Sequence, residues 1–220
     1  MAKPSLAKAL GTLLLLFAAV YGTAFLVVGL LRLRPRPAVP VVILVSLAMA
    51  LLLAWLLWGK SGGFAQFGFQ ESRGRYLLAA IVLGAPIGWA INLLIHHFSS
   101  GPTSLDLTFR PWAMVVYFIV GASIQEEVIF RGLLQSTVAR QFPSKLSFFG
   151  VTLSGPAIIV ALLFGVIHIA VDPITAVGAF VLGLLAGELR ARSGSLVPAI
   201  LVHALFNLFA AITAATGRVL

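Results

Sequence analysis

The chain has 220 residues, 60% of them apolar and only 10% charged. A soluble domain carries about 25% charged residues, so this chain lacks the polar groups to cover a compact surface in water, and its natural solvent is lipid. The formal charge of +9 does not point to nucleic acid, because the basic residues form no single stripe and sit in short loops between apolar runs. Cysteine is absent, which excludes a disulfide framework or a thiolate metal site.

A membrane-crossing helix needs roughly 20 apolar residues. Seven stretches read as such spans: 9–31, 39–58, 76–95, 112–138, 156–171, 174–190 and 196–214. The first follows Lys3 and Lys8 and outruns the apolar core of about 7–15 residues found in a cleaved signal, so it is expected to be retained as a helix. The breaks between spans carry recognisable chemistry. They are the basic, Pro-rich Arg32 to Pro37, the Gly62-Gly63 region, Ser99 to Pro102, Ser154-Gly155-Pro156 and Asp172-Pro173. The class is therefore an all-α polytopic bundle of about seven to eight transmembrane helices. No hydrophilic block is long enough for a separate soluble domain, so residues 1–110 and 112–214 form an N-terminal part and a core part of one membrane domain.

Placing the N-terminus in the cytoplasm puts Lys3, Lys8, Lys60, Arg73, Arg75, Arg140, Lys145, Arg190 and Arg192 on that side. Arg32, Arg34, Arg36, Arg110 and Arg218 then fall on the other, nine against five. The excess favours a cytoplasmic N-terminus. Gly84 with Gly88, and Gly183 with Gly187, are spaced for close approach of helix backbones. Packing within the bundle is the preferred reading over a dimer interface.

The sharpest signal is Gln125-Glu126-Glu127-Val128-Ile129-Phe130-Arg131, which lies inside the fourth apolar run. One charge at the bilayer centre costs at least ~2.5–3.5 kcal/mol on insertion scales. Two adjacent carboxylates must therefore face the bundle interior or a wet cavity. Glu127 and Arg131 stand four apart on one helical face and can pair. Glu126 is turned about 100° away, less compensated and freer to face a cavity, as a general base requires. The plain alternative is a buried ion-pair network that only pins helices together. Phe164 with His168, and His203 with Asn207, place further polar groups at i and i+4 on two later apolar helices. Counted at 1.5 Å per residue, Glu126 is about 20 Å from Arg140, His168 about 18 Å from Pro156 and His203 about 10 Å from Leu196. The three meet near mid-membrane only if the fifth span starts at Gly155-Pro156 and not at Lys145.

In this order, Glu126-Glu127-x-x-x-Arg131, Phe164-x-x-x-His168 and His203-x-x-x-Asn207 resemble the three motifs of the CPBP intramembrane protease family. That family includes the type II CAAX prenyl endopeptidases, bacteriocin-processing proteins and abortive-infection (Abi) proteins. The likeness covers roughly residues 112–212, including Gly183 to Glu188 and Arg192 to Leu196. It implies a fold of about eight helices, with Phe142 to Leu153 as a candidate interfacial helix. It also implies that Glu126 activates water with help from His168, and that His203 and Asn207 stabilise a tetrahedral oxyanion. Amide cleavage does need a base for water and donors for the developing charge. Zinc is the one metal to weigh, with Glu126, His168 and His203 as a three-ligand set. The absence of His-Glu-x-x-His favours metal-independent catalysis, with no cofactor.

The partners implied are the lipid bilayer, a membrane-associated peptide or protein as substrate, and no nucleic acid. A scaffold or chaperone that binds a partner membrane protein is the competing function. A proton pathway ranks last, because no inverted repeat supports it. Other polar groups are assigned structural roles: His96-His97 as an interfacial anchor, Glu188 and Arg192 as a surface pair, and Asp172-Pro173 as a turn. Trp55, Trp58, Trp89 and Trp112 are read as an aromatic belt.

Overall fold

The computed structural model describes residues 5–58, 63–99, 111–148 and 150–216. It is an all-α membrane bundle. The helices are α1 (Leu6–Leu30), α2 (Pro35–Trp58), α3 (Gly74–Phe98), α4 (Trp112–Gln141), α5 (Gly155–His168), α6 (Pro173–Ser193) and α7 (Val197–Thr216). Five of these, α1 to α4 and α6, are long and apolar enough to cross a membrane. The other two sequence spans correspond to shorter apolar helices, α5 and the stretch Val197–Thr213 of α7. At 14 residues α5 rises only about 21 Å, less than the hydrocarbon thickness of about 30 Å, so it ends His168 inside the bundle.

Among the described residues between Phe142 and Leu153 no interfacial helix forms. Two antiparallel strands, β1 (Lys145–Phe148) and β2 (Val151–Ser154), pair there with Lys145 opposite Ser154 and Phe148 opposite Val151. The local sequence explains the difference. Leu146-Ser147-Phe148 and Val151-Thr152-Leu153 alternate in character and are rich in aromatic and β-branched residues, and Gly150 supplies a positive φ of 78° at the turn. β2 then runs straight into α5. Ser154 caps that helix by accepting from the Ala157 N–H, and Pro156 lies in its first turn. The start at Gly155 is the one that the depth count requires.

α4 is the central helix. Every residue from Val128 to Leu134 is buried, which explains why its apolar character shows no outward polar face. Wider π-type turns span Val115–Ala122 and Val128–Leu134 and flank the five residues Ser123–Glu127. Such turns are rare and concentrate at functional sites. One continuous buried cluster runs from Ala9, Leu13, Leu16 and Val20 of α1 to Val202 and Phe206 of α7.

The glycine pairs do their packing inside the bundle. A methyl group on Gly84 or Gly88 would meet Val202 or Phe206 of α7, and one on Gly183 or Gly187 would meet Ala161 or Ala157 of α5. Loops tie one end of the bundle. Gln70 donates to the Gly194 carbonyl, and the Ser195 hydroxyl donates to the Gln70 carbonyl. The Ser154 N–H is accepted by Glu188, which also pairs with Arg192 at 3.1 Å. At the other end Asp172 caps α6 by accepting from the Ile174 N–H and from the Ser99 hydroxyl. The Ser99 hydroxyl and the Ile174 N–H hold the Asp172 carboxyl below the usual carboxylate range. Of the tryptophans, Trp55 and Trp112 are exposed and Trp89 stacks edge-on against Phe209. The Trp58 side chain lies outside the described residues.

A bulky residue at Gly183 has nowhere to go, because its Cβ alone would sit 3.1 Å from the Ala161 backbone and 3.2 Å from Arg131 Nη2. Gly183→Leu is expected to cost about 1–3 kcal/mol by overpacking. Gly22→Leu, which meets nothing within 4 Å, should leave stability unchanged. Thermal unfolding of both variants in the same detergent tests the contrast, and equal melting temperatures would contradict it.

Candidate active site

The motif carboxylates divide as their spacing requires. Glu127 and Arg131 are both 0% exposed, and Arg131 Nη1 donates to Glu127 Oε1 at 3.0 Å. The same oxygen accepts from His203 Nδ1 at 2.7 Å. One carboxylate thus joins a guanidinium of its own helix to an imidazole of α7. Glu126, 23% exposed, lies on the outer side of this pair with Oε2 at 3.8 Å from His203 Nε2, a separation too long for a hydrogen bond. Glu126, Glu127, Arg131 and His203 therefore form one cluster, with His203 between the two acids.

Hydrogen-bond bookkeeping fixes the imidazole roles. An ionised carboxylate can only accept, so His203 Nδ1 carries a proton and only Nε2 remains for chemistry. His168 Nδ1 lies 2.7 Å from the Phe164 carbonyl, which also can only accept. His168 Nε2 is therefore the lone-pair site of the neutral ring. Phe164 sits between the two histidines, 4.7 Å from the His168 ring and 5.9 Å from the His203 ring. Its face carries the Arg131 guanidinium at 4.8 Å, a cation–π contact in a dry setting. The second motif thus contributes an aromatic platform as well as an imidazole.

Asn207 has a different immediate role from the one its type suggests. Its amide nitrogen donates to the Phe118 carbonyl at 2.9 Å and to Ser123 Oγ at 3.1 Å. Both hydrogens are committed, and they tie α7 to the wide-turn part of α4. In this arrangement Asn207 offers only its oxygen, an acceptor, to anything that approaches.

His168, His203 and Asn207 line one cavity of about 190 Å³, together with Phe164, Asn92 and His96. Glu126 is not part of that lining and reaches the cavity only through His203. Two lining residues were not legible as such. The sequence reads His96 as an interfacial anchor, yet it lines the cavity. Asn92 is buried, donating to the Gly88 and Phe206 carbonyls. Its spacing of four from both Gly88 and His96 is the available signal. Gln125, beside the acids, faces away from them and donates to Tyr21 of α1 and Ser46 of α2. The donor set Glu126, His168 and His203 is not assembled for zinc. Among the described residues no three His, Asp or Glu side chains are grouped to hold a metal ion.

A polytopic helical bundle that gathers acid, imidazole and amide side chains from three apolar helices is the class that this fold and site define. Residues 108–209 match the family model of the type II CAAX prenyl endopeptidases, Rce1-like. That stretch, just under half of the chain, holds all three motifs and is similar to that family. No curated protein and no solved structure matches the chain.

Removing one partner of a fully buried charge pair strands the other, at about 3–5 kcal/mol. Arg131→Ala and Glu127→Ala are expected to unfold well before the parent protein in a denaturant titration. Glu126→Ala, whose carboxylate is partly exposed, should unfold close to the parent. Coincident midpoints for all three variants would contradict the division of the two acids.

Proposed function

We propose that this protein is an intramembrane endopeptidase that hydrolyses a peptide bond of a membrane-associated protein or peptide. The observation that carries the reading is the convergence of Glu126, Glu127 and His203, with His203 also lining the cavity that holds His168 and Asn207. Glu126 is the base for water: its carboxylate lacks the buried guanidinium partner that occupies Glu127 and is partly exposed. His168, with its lone pair at Nε2, assists in moving the proton. Attack of the water oxygen on the carbonyl carbon places negative charge on the carbonyl oxygen, and that charge requires donors. His203 is the first donor. Glu127 accepts from its Nδ1, and the ring donates to the oxyanion from Nε2 when it carries a second proton. Asn207 becomes the second donor by exchanging its Ser123 or Phe118 bond for the oxyanion. The acid formed at Glu126 then returns its proton to the leaving amine.

Glu127 and Arg131 act through His203, as positioning residues. The apolar walls of the cavity suit the apolar side chains of a membrane peptide.

A second reading has one observation in its favour. Because Glu126 stands outside the cavity lining, the same bundle would also serve as a non-proteolytic scaffold holding a membrane-protein partner. Cleavage assays separate the two. Purified protein in lipid is incubated with a panel of membrane peptides beside Glu126→Ala and Glu188→Ala. The first variant should lose at least about a hundredfold in rate, the usual contribution of a positioned base. The second, at the loop-tied end of the bundle, should retain activity. Equal cleavage by parent and Glu126→Ala, or none across the panel, favours the scaffold.

A further inference from the structure

The cavity that holds His168, His203 and Asn207 is walled by α3, α5, α6 and α7. Burial along three of those walls has a direction. Phe164 of α5 is 1% exposed, while Val171, in the turn beyond that helix, is 45% exposed. On α3 the lining runs from buried Asn92 to half-buried His96 and Ser99, and on α6 from buried Leu182 to half-buried Thr175. The cavity therefore opens where α3 and α5 end and α6 begins. Ser99 and Asp172 mark its rim, because the Ser99 hydroxyl donates to the carboxylate that caps α6. Toward the other end of the bundle lie the buried Glu127–Arg131 pair and the close packing of Gly183 on Ala161. A separate cavity there, of about 310 Å³ and lined by Arg131, Arg140 and Arg190, shares no lining residue with the first.

Contacts along α1 tell the two ends apart. Thr12 Oγ1 lies 3.2 Å from Gln141 Oε1 at the end of α4, and Tyr21 accepts from Gln125 in its middle. So α1 starts beside the end of α4 and finishes at the rim end. Among the described residues, Lys8, Arg73, Arg75, Arg140, Lys145, Arg190 and Arg192 stand at the end where α1 starts. Arg32, Arg34 and Arg36 stand at the rim end, seven against three. Lys and Arg in short loops mark the cytoplasmic face of a multi-span protein. We propose that the peptide enters the catalytic cavity from the non-cytoplasmic side of the membrane, through a mouth between the end of α3 and the α5–α6 turn. The substrate class that follows is a membrane-anchored protein or peptide whose scissile segment has been translocated, and not one displayed to the cytoplasm. The nature of the occupant rests on the endopeptidase reading; the side on which the cavity opens does not.

The chain has no cysteine, so a single introduced thiol reports its own surroundings. The full-length protein is made as Val171→Cys, Thr175→Cys or Glu71→Cys in sealed, right-side-out membrane vesicles. A membrane-impermeant methanethiosulfonate is added outside, before and after permeabilisation. Val171→Cys and Thr175→Cys, at the mouth, should react from outside. Glu71→Cys, exposed at the basic end, should react only after permeabilisation. Two mouth variants are used so that one which fails to fold leaves the other to decide. In a second arm, a bulky maleimide is coupled to purified Thr175→Cys and Glu71→Cys, and cleavage of the membrane-peptide panel is compared before and after. Coupling should abolish cleavage by the first and leave that of the second unchanged. No reaction of either mouth thiol from outside, or reaction of Glu71→Cys there, overturns the proposal. Cleavage that survives the plug at Thr175→Cys overturns it as well. A chain that cleaves nothing defeats the endopeptidase reading alone, since the labelling arm still reports on which side the cavity opens.

Discussion

A single carboxylate, Glu127, holds the centre of this molecule together. It accepts from Arg131 on its own helix and from His203 on α7, and neither Glu127 nor Arg131 touches solvent. An isolated charge at this depth would be expelled or neutralised. The pair persists because each member is compensated, and because Phe164 lays an aromatic face against the guanidinium. That arrangement draws α4, α5 and α7 to one point. It also sets the proton position on His203, so the packing of the core and the chemistry available at its edge follow from one contact.

Close helix approach is what allows so compact a centre. In lipid, burial of apolar surface gives helices little reason to associate, and packing by small residues takes over. Gly183 and Gly187 seat α6 against Ala161 and Ala157 of α5, while Gly84 and Gly88 seat α3 against Val202 and Phe206 of α7. The second of these contacts uses the residues immediately before His203 and Asn207, and the first lies beside Arg131. Small residues and ionisable ones are therefore two halves of one device. The former bring backbones near enough for the latter to be satisfied by each other.

The two acids of the motif divide the work by exposure. Glu127 is fully compensated and keeps geometry; Glu126 keeps an open side. The bundle is also polarised along its length. One end carries the cavity of His168, His203 and Asn207, and the other carries the arginine-lined one. A short α5 makes this possible, since a helix of full membrane length would carry His168 past the level of the acids.

Much was settled by the amino-acid order itself. The scarcity of charge dictated a lipid solvent, the apolar runs marked seven helical segments, and the four-residue spacings fixed that Glu127 pairs with Arg131 while Glu126 does not. Those features are local, governed by helix period and by the cost of an unpaired charge. The rest depended on contacts between distant segments. That His203 bonds Glu127, that the amide of Asn207 is spent on Phe118 and Ser123, and that His96 and Asn92 share a cavity with His168 cannot be read from spacing within one helix. The hairpin at Lys145–Ser154 was missed because its four-residue strands carry too short a pattern to separate from an interfacial helix. The arginine-lined cavity was equally hidden: Arg131, Arg140 and Arg190 read singly as a motif residue and two loop charges, and only the packing of α4 against α6 places them around one space.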